Sequence, residues 1–122
     1  MKVTFLDAST VDAGDINFDG INEFGELTTY KTTSKHETLD RIIDSDIIIT
    51  NKVIIDKPVI EASKNLKLII VSATGYNNVD VTAAKEKDIK VCNVADYSTP
   101  IVAQHTISLI LNHKKLLPGK FF

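Results

Sequence analysis

The chain has 122 residues, of which 43% are hydrophobic and 25% are charged, and its formal net charge is −2. This length predicts a single domain with one sizeable core, and the near-neutral charge offers no basic surface for nucleic acid or an anionic membrane. Cys92 is the only cysteine, so no internal disulfide can form and we expect a reducing, cytoplasmic location. No apolar run approaches the roughly 18 residues that a membrane-spanning helix needs.

Five short segments predict β-strands. In chain order they are residues 2–6, 26–31, 46–50, 67–73 and 90–94. Four of them are rich in β-branched residues and almost continuously apolar, which is typical of parallel strands covered by helices on both faces. The second segment, ELTTYK, is more polar, as expected of an edge strand.

Helix signals lie between the strands. Ser34 and Glu37 have the spacing of a capping box, and Asp56 and Asp80 are candidate N-caps ahead of two further helices. This alternation predicts an α/β, flavodoxin-like, doubly wound fold with three layers and a five-stranded parallel sheet of order 2-1-3-4-5.

Ligands of such sheets bind beyond the carboxyl ends of the strands. The loops expected at that rim are residues 7–10, 50–53, 73–78 and 93–99. Asp7 ends the first strand on this rim, but one carboxylate does not predict a metal site.

The last predicted helix begins at Ser98 or Thr99, and its apolar residues spread around most of its circumference. Such a helix needs protein on more than one side, and the sheet can cover only one of them. We therefore predict a homodimer formed through the helix over 99–117 and the LLPGKFF tail, since the helix would otherwise expose a large apolar patch. His105, inside this helix, is expected to be a packed or interface residue.

Three segments resemble the substrate (catalytic) domain of NAD-dependent D-2-hydroxyacid dehydrogenases: TNKVIID, LKLIIVSATGYNNVDVTAAKEKDIKVCNV and YSTPIVAQHTISLIL. The glycerate dehydrogenase, or hydroxypyruvate reductase, branch is nearest. The resemblance implies a substrate domain over residues 1–117 and a tail over 118–122. In that family a Rossmann domain holds the nicotinamide cofactor, and the active site lies in the cleft between the two domains.

The resemblance also implies roles for individual residues. Thr74 and Gly75 would bind the carboxylate of a 2-keto or 2-hydroxy acid through backbone N–H groups, which agrees with the close approach that glycine permits. Lys52 would attract the same carboxylate, and Tyr97 and Ser98 would line the cleft. On the residues alone, Gly75 could instead supply a positive-φ turn, Lys52 a solvated charge, and Tyr97 and Ser98 a turn and a cap.

The family's catalytic residues come from its cofactor domain, so none is assigned to this chain. Thr99 and Val102 match positions that touch the cofactor, but only when a Rossmann domain is present. Arg41 is the only arginine, and the glycines at 14, 20, 25, 75 and 119 do not fit G-x-G-x-x-G. We therefore expect no bound NAD and no hydride transfer by this chain alone, and we assign no metal ligand.

Other functions of the same fold fit the sequence less well. A phosphoacceptor receiver domain needs an acidic pair after strand one, where only Asp7 stands, and a flavin carrier needs a phosphate loop and aromatic flanks. The remaining alternative is a non-enzymatic module that self-associates or binds small anions. Cys92 is expected to be an inert residue of a buried strand.

Overall fold

The computed structural model describes residues 1–113, and its centre is one five-stranded sheet. The strands are β1 Lys2–Phe5, β2 Glu26–Thr29, β3 Ile47–Thr50, β4 Leu68–Val71 and β5 Lys90–Asn93. Their order is β2-β1-β3-β4-β5, and every neighbouring pair is parallel. The predicted fold class and strand order are confirmed.

Three of the four helices begin where the sequence predicts. The helix after Ser34 is the exception, because it begins at Thr38 with Glu37 as its N-cap, so Ser34 does not cap it as the predicted capping box required. The four helices are α1 Thr38–Ile42, α2 Lys57–Ala62, α3 Val81–Glu86 and α4 Thr99–His113. Asp56 accepts a hydrogen bond from the Val59 N–H at 3.3 Å, and Asp80 accepts one from the Ala83 N–H at 2.9 Å. Both residues therefore satisfy N–H groups that the first helical turn cannot pair internally, which confirms them as N-caps.

The main core lies between the sheet and the first three helices. Its fully buried members include Leu6, Ile48 and Ile69 from the sheet side and Ile42 and Ile60 from the helices. Burial of these side chains is the principal force that holds α1, α2 and α3 on this face.

A second, smaller core covers the opposite face of the sheet. Val3, Phe5, Ala8 and Ile49 are buried there, under the chain segment that joins β1 to β2. This segment contains 3-10 turns at residues 8–10 and 19–23 in place of a full α-helix. The third layer is therefore thin, and it extends over β1 to β3 more than over β4 and β5.

The last helix departs from the prediction that the sheet supports one of its sides. No residue of α4 is buried, and Ile101 and Ile110 are 66% and 53% exposed. The helix leaves from the edge strand β5 through an exposed loop, so it projects beyond the sheet. His105 is exposed as well. The prediction that this histidine packs within the described chain was therefore wrong. Residues 114–117 of the predicted helix, the predicted boundary at 117 and the tail lie outside the described residues.

Cys92 is exposed, which corrects the expectation of a buried strand residue. It lies on the edge strand β5 in register with Ile70, on the face of the sheet opposite α1, α2 and α3, where the segment that joins β1 to β2 covers mainly the other strands. Among the described residues, no helix is long and apolar enough to cross a membrane.

Candidate functional site

The loops at the carboxyl ends of β3, β4 and β5 begin at the same level. Thr50 is in register with Val71, and Val71 is in register with Asn93. The Ser72 N–H donates to the Thr50 carbonyl at 2.8 Å, and Val94 N–H donates to the Ala73 carbonyl at 3.0 Å. Backbone hydrogen bonds thus continue past the strands and hold these loops side by side at one rim.

The turn at Thr74 and Gly75 carries the predicted carboxylate-binding amides. Both residues are exposed, and the side chain of Asn93 donates to the Thr74 carbonyl at 2.8 Å. Within residues 1–113, neither the Thr74 N–H nor the Gly75 N–H has an acceptor. A fixed carbonyl and two unpaired amides leave this turn able to accept an added anion.

Gly75 has no reason within the described chain to be glycine. Its φ lies outside the left-handed region, so the positive-φ interpretation was wrong. A Cβ built at this position would meet nothing within 4 Å. The space beside the turn is therefore open within the described chain, and a ligand or another protein segment could approach the backbone closely there.

The loop that carries Lys52 is held by Asp7, which the sequence placed on the rim without indicating this role. The Asp7 side chain accepts hydrogen bonds from the backbone N–H groups of Asn51, Lys52 and Val53 at 2.9, 2.6 and 3.2 Å. Asp7 is only 3% exposed. The sequence signal that could have indicated this contact is the position of Asp7 at the carboxyl end of β1. In the strand order 2-1-3, the carboxyl end of β1 lies beside that of β3.

The side chain of Lys52 remains exposed, and its ammonium forms no ion pair with the described residues. Its loop is joined to the Gly75 loop through Asn78. The Asn78 side chain donates to the Val53 carbonyl at 2.9 Å, and the Ile55 N–H donates to the Asn78 carbonyl at 2.8 Å. The positive charge and the unpaired amides therefore belong to one connected part of the rim.

The other predicted contacts follow β5. Tyr97 is 61% exposed in the loop, and the Ser98 carbonyl accepts the Val102 N–H at 2.9 Å at the start of α4. Thr99 and Val102 are exposed on the first turn of that helix. These residues occupy the same end of the sheet as Gly75, and their predicted roles remain predictions.

Arg41 is committed to structural contacts. Its guanidinium donates to the Thr32 carbonyl and the Thr33 hydroxyl at 2.6 Å, pairs with Glu37 at 2.6 Å and lies 4.1 Å above the Tyr30 ring centre. Hydrogen bonds from Ser34, aided by the Arg41 charge, hold the pKa of Glu37 below its usual value.

Within residues 1–113, no three His, Cys, Asp or Glu side chains form a group suited to a metal ion.

Comparison with known proteins identifies the family of the chain. The hydroxypyruvate reductase of Blautia hydrogenotrophica is 41% identical over 114 residues, which are 91% of this chain and 35% of that protein. The glycerate dehydrogenase of Methylorubrum extorquens is 34% identical over 109 residues, covering 89% of this chain and 34% of that protein. The chain spans 35% to 38% of the length of the first curated relatives it matches.

A solved structure shares the same fold. Acyclic imino acid reductase (Bsp5), in complex with NADPH and D-Arg, superposes with a TM-score of 0.79 at 26% identity, over 99% of this chain and 43% of that one. The family model of the D-isomer specific 2-hydroxyacid dehydrogenase catalytic domain matches residues 4–114. The chain therefore belongs to the D-isomer specific 2-hydroxyacid dehydrogenases and forms a catalytic domain of that family.

Proposed function

We propose that this chain is the substrate-binding half of an NAD-dependent D-2-hydroxyacid dehydrogenase that acts on a small acid such as hydroxypyruvate or glycerate. The observation that carries the proposal is the exposed turn at Thr74 and Gly75, whose two amides have no acceptor within the described chain. The family match and the relatives named hydroxypyruvate reductase and glycerate dehydrogenase support this substrate class.

The proposed binding mode follows from the chemistry of a carboxylate. Each of its oxygens can accept a backbone N–H, so the Thr74 and Gly75 amides suit its two oxygens. The unpaired Lys52 ammonium adds electrostatic attraction from the neighbouring loop. Tyr97 and Ser98 complete one wall of the cleft in this proposal, and the substrate domain extends over residues 1–117, with 118–122 as a tail.

The chain's own residues do not fit a dinucleotide. Its five glycines stand at positions 14, 20, 25, 75 and 119, none in the spacing that cradles a pyrophosphate. Thr99 and Val102 could touch a cofactor held by a Rossmann domain, but they could not hold one themselves. We therefore propose that these 122 residues bind the acid without hydride transfer, in a reducing cytoplasm that suits the exposed thiol of Cys92.

The exposed helix α4 favours a second candidate function, in which the chain is a self-associating module. Ile107 and Ile110 are 56% and 53% exposed, and apolar side chains of this size normally meet a partner. The partner is a second copy of the chain or the cofactor lobe. If the chain forms homodimers, we expect Ile107→Lys to lower the mass measured by sedimentation. If the wild type and Ile107→Lys both sediment as monomers, the homodimer proposal is refuted.

The binding proposal is tested by titrating the 122-residue chain with hydroxypyruvate while following its amide resonances. We expect the Thr74 and Gly75 resonances to shift saturably, because their N–H groups would gain acceptors. Hydroxyacetone, which lacks the carboxylate, is the matched control and should leave them in place. Equal shifts with both compounds, or none with hydroxypyruvate, would contradict the proposed function.

A further inference from the structure

The rim contains a second amide cradle, and it is already filled by the protein's own carboxylate. The consecutive N–H groups of Asn51, Lys52 and Val53 all donate to Asp7, with one carboxylate oxygen accepting from Asn51 and the other from Lys52 and Val53. The Val53 N–H is shared, because it also donates to the Thr50 hydroxyl at 3.1 Å. Three consecutive amides on one acid form the kind of concavity that binds anions. Here the anion is internal and almost wholly buried.

The two cradles lie on adjacent strands and differ in occupancy. The Asn51–Val53 amides follow β3 and are paired, whereas the Thr74 and Gly75 amides follow β4 and have no acceptor within residues 1–113. Of these two cradles, the one at Thr74 and Gly75 is the one with donors to spare for a free carboxylate. The side chain of Asn78 joins the two loops through the Val53 carbonyl, so the position of one loop depends on the other.

We infer that Asp7 is a positioning residue with two effects. Its carboxylate fixes the backbone of the loop that carries Lys52. Because it occupies the Asn51–Val53 amides itself, it directs an incoming carboxylate to the Thr74–Gly75 amides. This inference rests on the proposed function for the binding step, but the clamp can be tested without a ligand. Asp7 does not touch the substrate. It acts through the backbone of Lys52, because it fixes the loop from which the exposed Lys52 side chain extends.

The first test measures amide hydrogen exchange in the whole 122-residue chain. In the wild type, we expect the Asn51, Lys52 and Val53 amides to exchange more slowly than the Gly75 amide, because they are hydrogen-bonded and it is not. Asp7→Asn should speed exchange at Asn51 and Lys52 by about tenfold or more, since the side-chain NH2 group must now face at least one N–H donor. The effect at Val53 should be smaller, because its N–H also donates to the Thr50 hydroxyl. Slow exchange that Asp7→Asn leaves unchanged would overturn the inference.

The matched control is Lys87→Met, at a distance from the rim. The exposed Lys87 side chain donates to the carbonyls of Ile60, Glu61 and Ser63 at 3.2, 2.9 and 3.0 Å, so its replacement also removes three hydrogen bonds to the backbone of one segment. This variant should leave exchange at residues 51–53 as it is in the wild type. Selective loosening by Asp7→Asn then cannot be a general loss of stability.

The second test is a double-mutant cycle on the binding of hydroxypyruvate, read from the Gly75 resonance. We expect Lys52→Met and Asp7→Asn each to raise the Kd by about three- to tenfold. The Kd of the double variant should not exceed the larger of the two single-variant values, because both changes disturb the same interaction. Lys87→Met should not change the Kd. Additive effects of Asp7→Asn and Lys52→Met, or an unchanged Kd in Asp7→Asn, would overturn the positioning role.

The outcomes separate the two proposals. If the wild type does not bind hydroxypyruvate but Asp7→Asn loosens residues 51–53, the proposed function and the directing role both fail, while the clamp itself stands. If the wild type binds and Asp7→Asn changes neither exchange nor Kd, the function stands and the inference fails. Should Asp7→Asn not fold, Asp7→Ser keeps one acceptor, and wild-type exchange at 51–53 as fast as at Gly75 would still refute the clamp.

Discussion

Helices α3 and α4 differ in a way that apolar content does not explain. The six-residue α3 has Ala83 and Ala84 buried against the sheet, although its apolar residues are small. The fifteen-residue α4 carries several isoleucines and leucines and has no buried residue. Burial of a helix is therefore set by what the chain brings against it, since the hydrophobic effect acts only on surface that is removed from water.

The strongest test of this comparison pairs an isoleucine from each environment. Ile69→Ala removes a side chain with no exposed surface and should lower the free energy of unfolding by about 2–5 kcal/mol. Ile107→Ala, on α4, should change it by less than about 0.5 kcal/mol in the isolated chain. Urea denaturation measures both, and similar losses would mean that α4 is packed in solution.

A smaller effect is expected at the start of α3. Asp80→Ala removes the hydrogen bond to the Ala83 N–H and should cost about 1 kcal/mol in the same assay. Asp80→Asn is the matched control because its side-chain oxygen can still accept that N–H, so it should retain most of the stability. If both variants lost equally, the charge and not the cap would hold the helix end.

The smallest effect concerns acid sensitivity at the other end of the sheet. The hydrogen bond from Lys67 and the Lys2 N–H lower the pKa of Asp46 from its ordinary value of 3.8. The folded pKa lies below the unfolded one, so the contribution is fully present above the unfolded value and is lost as pH falls through the folded value. Wild-type stability should therefore decline more than that of Asp46→Asn when the pH is taken from about 6 to about 3. Parallel declines in urea midpoint would contradict this.

Most of the fold could be predicted because its signals are local. Continuous β-branched runs indicate buried parallel strands, and Asp56 and Asp80 stand where an unpaired first turn needs an acceptor. The motif around Gly75 also identified the family before any geometry was known. The roles of Thr74, Gly75, Lys52, Tyr97 and Ser98 remain predictions, although the structure collects them at one end of the sheet.

The features that could not be predicted depend on neighbours distant in sequence. Asp7 and the amides of residues 51–53 are more than forty positions apart and meet only because β1 and β3 are adjacent. Cys92 was expected to be buried from its apolar strand, yet its exposure depends on which face of an edge strand lacks a cover. Periodicity and capping depend on residues close together in the sequence. Burial, the pairing of the Asn51–Val53 amides with Asp7 and the exposure of α4 depend on how separate elements pack together.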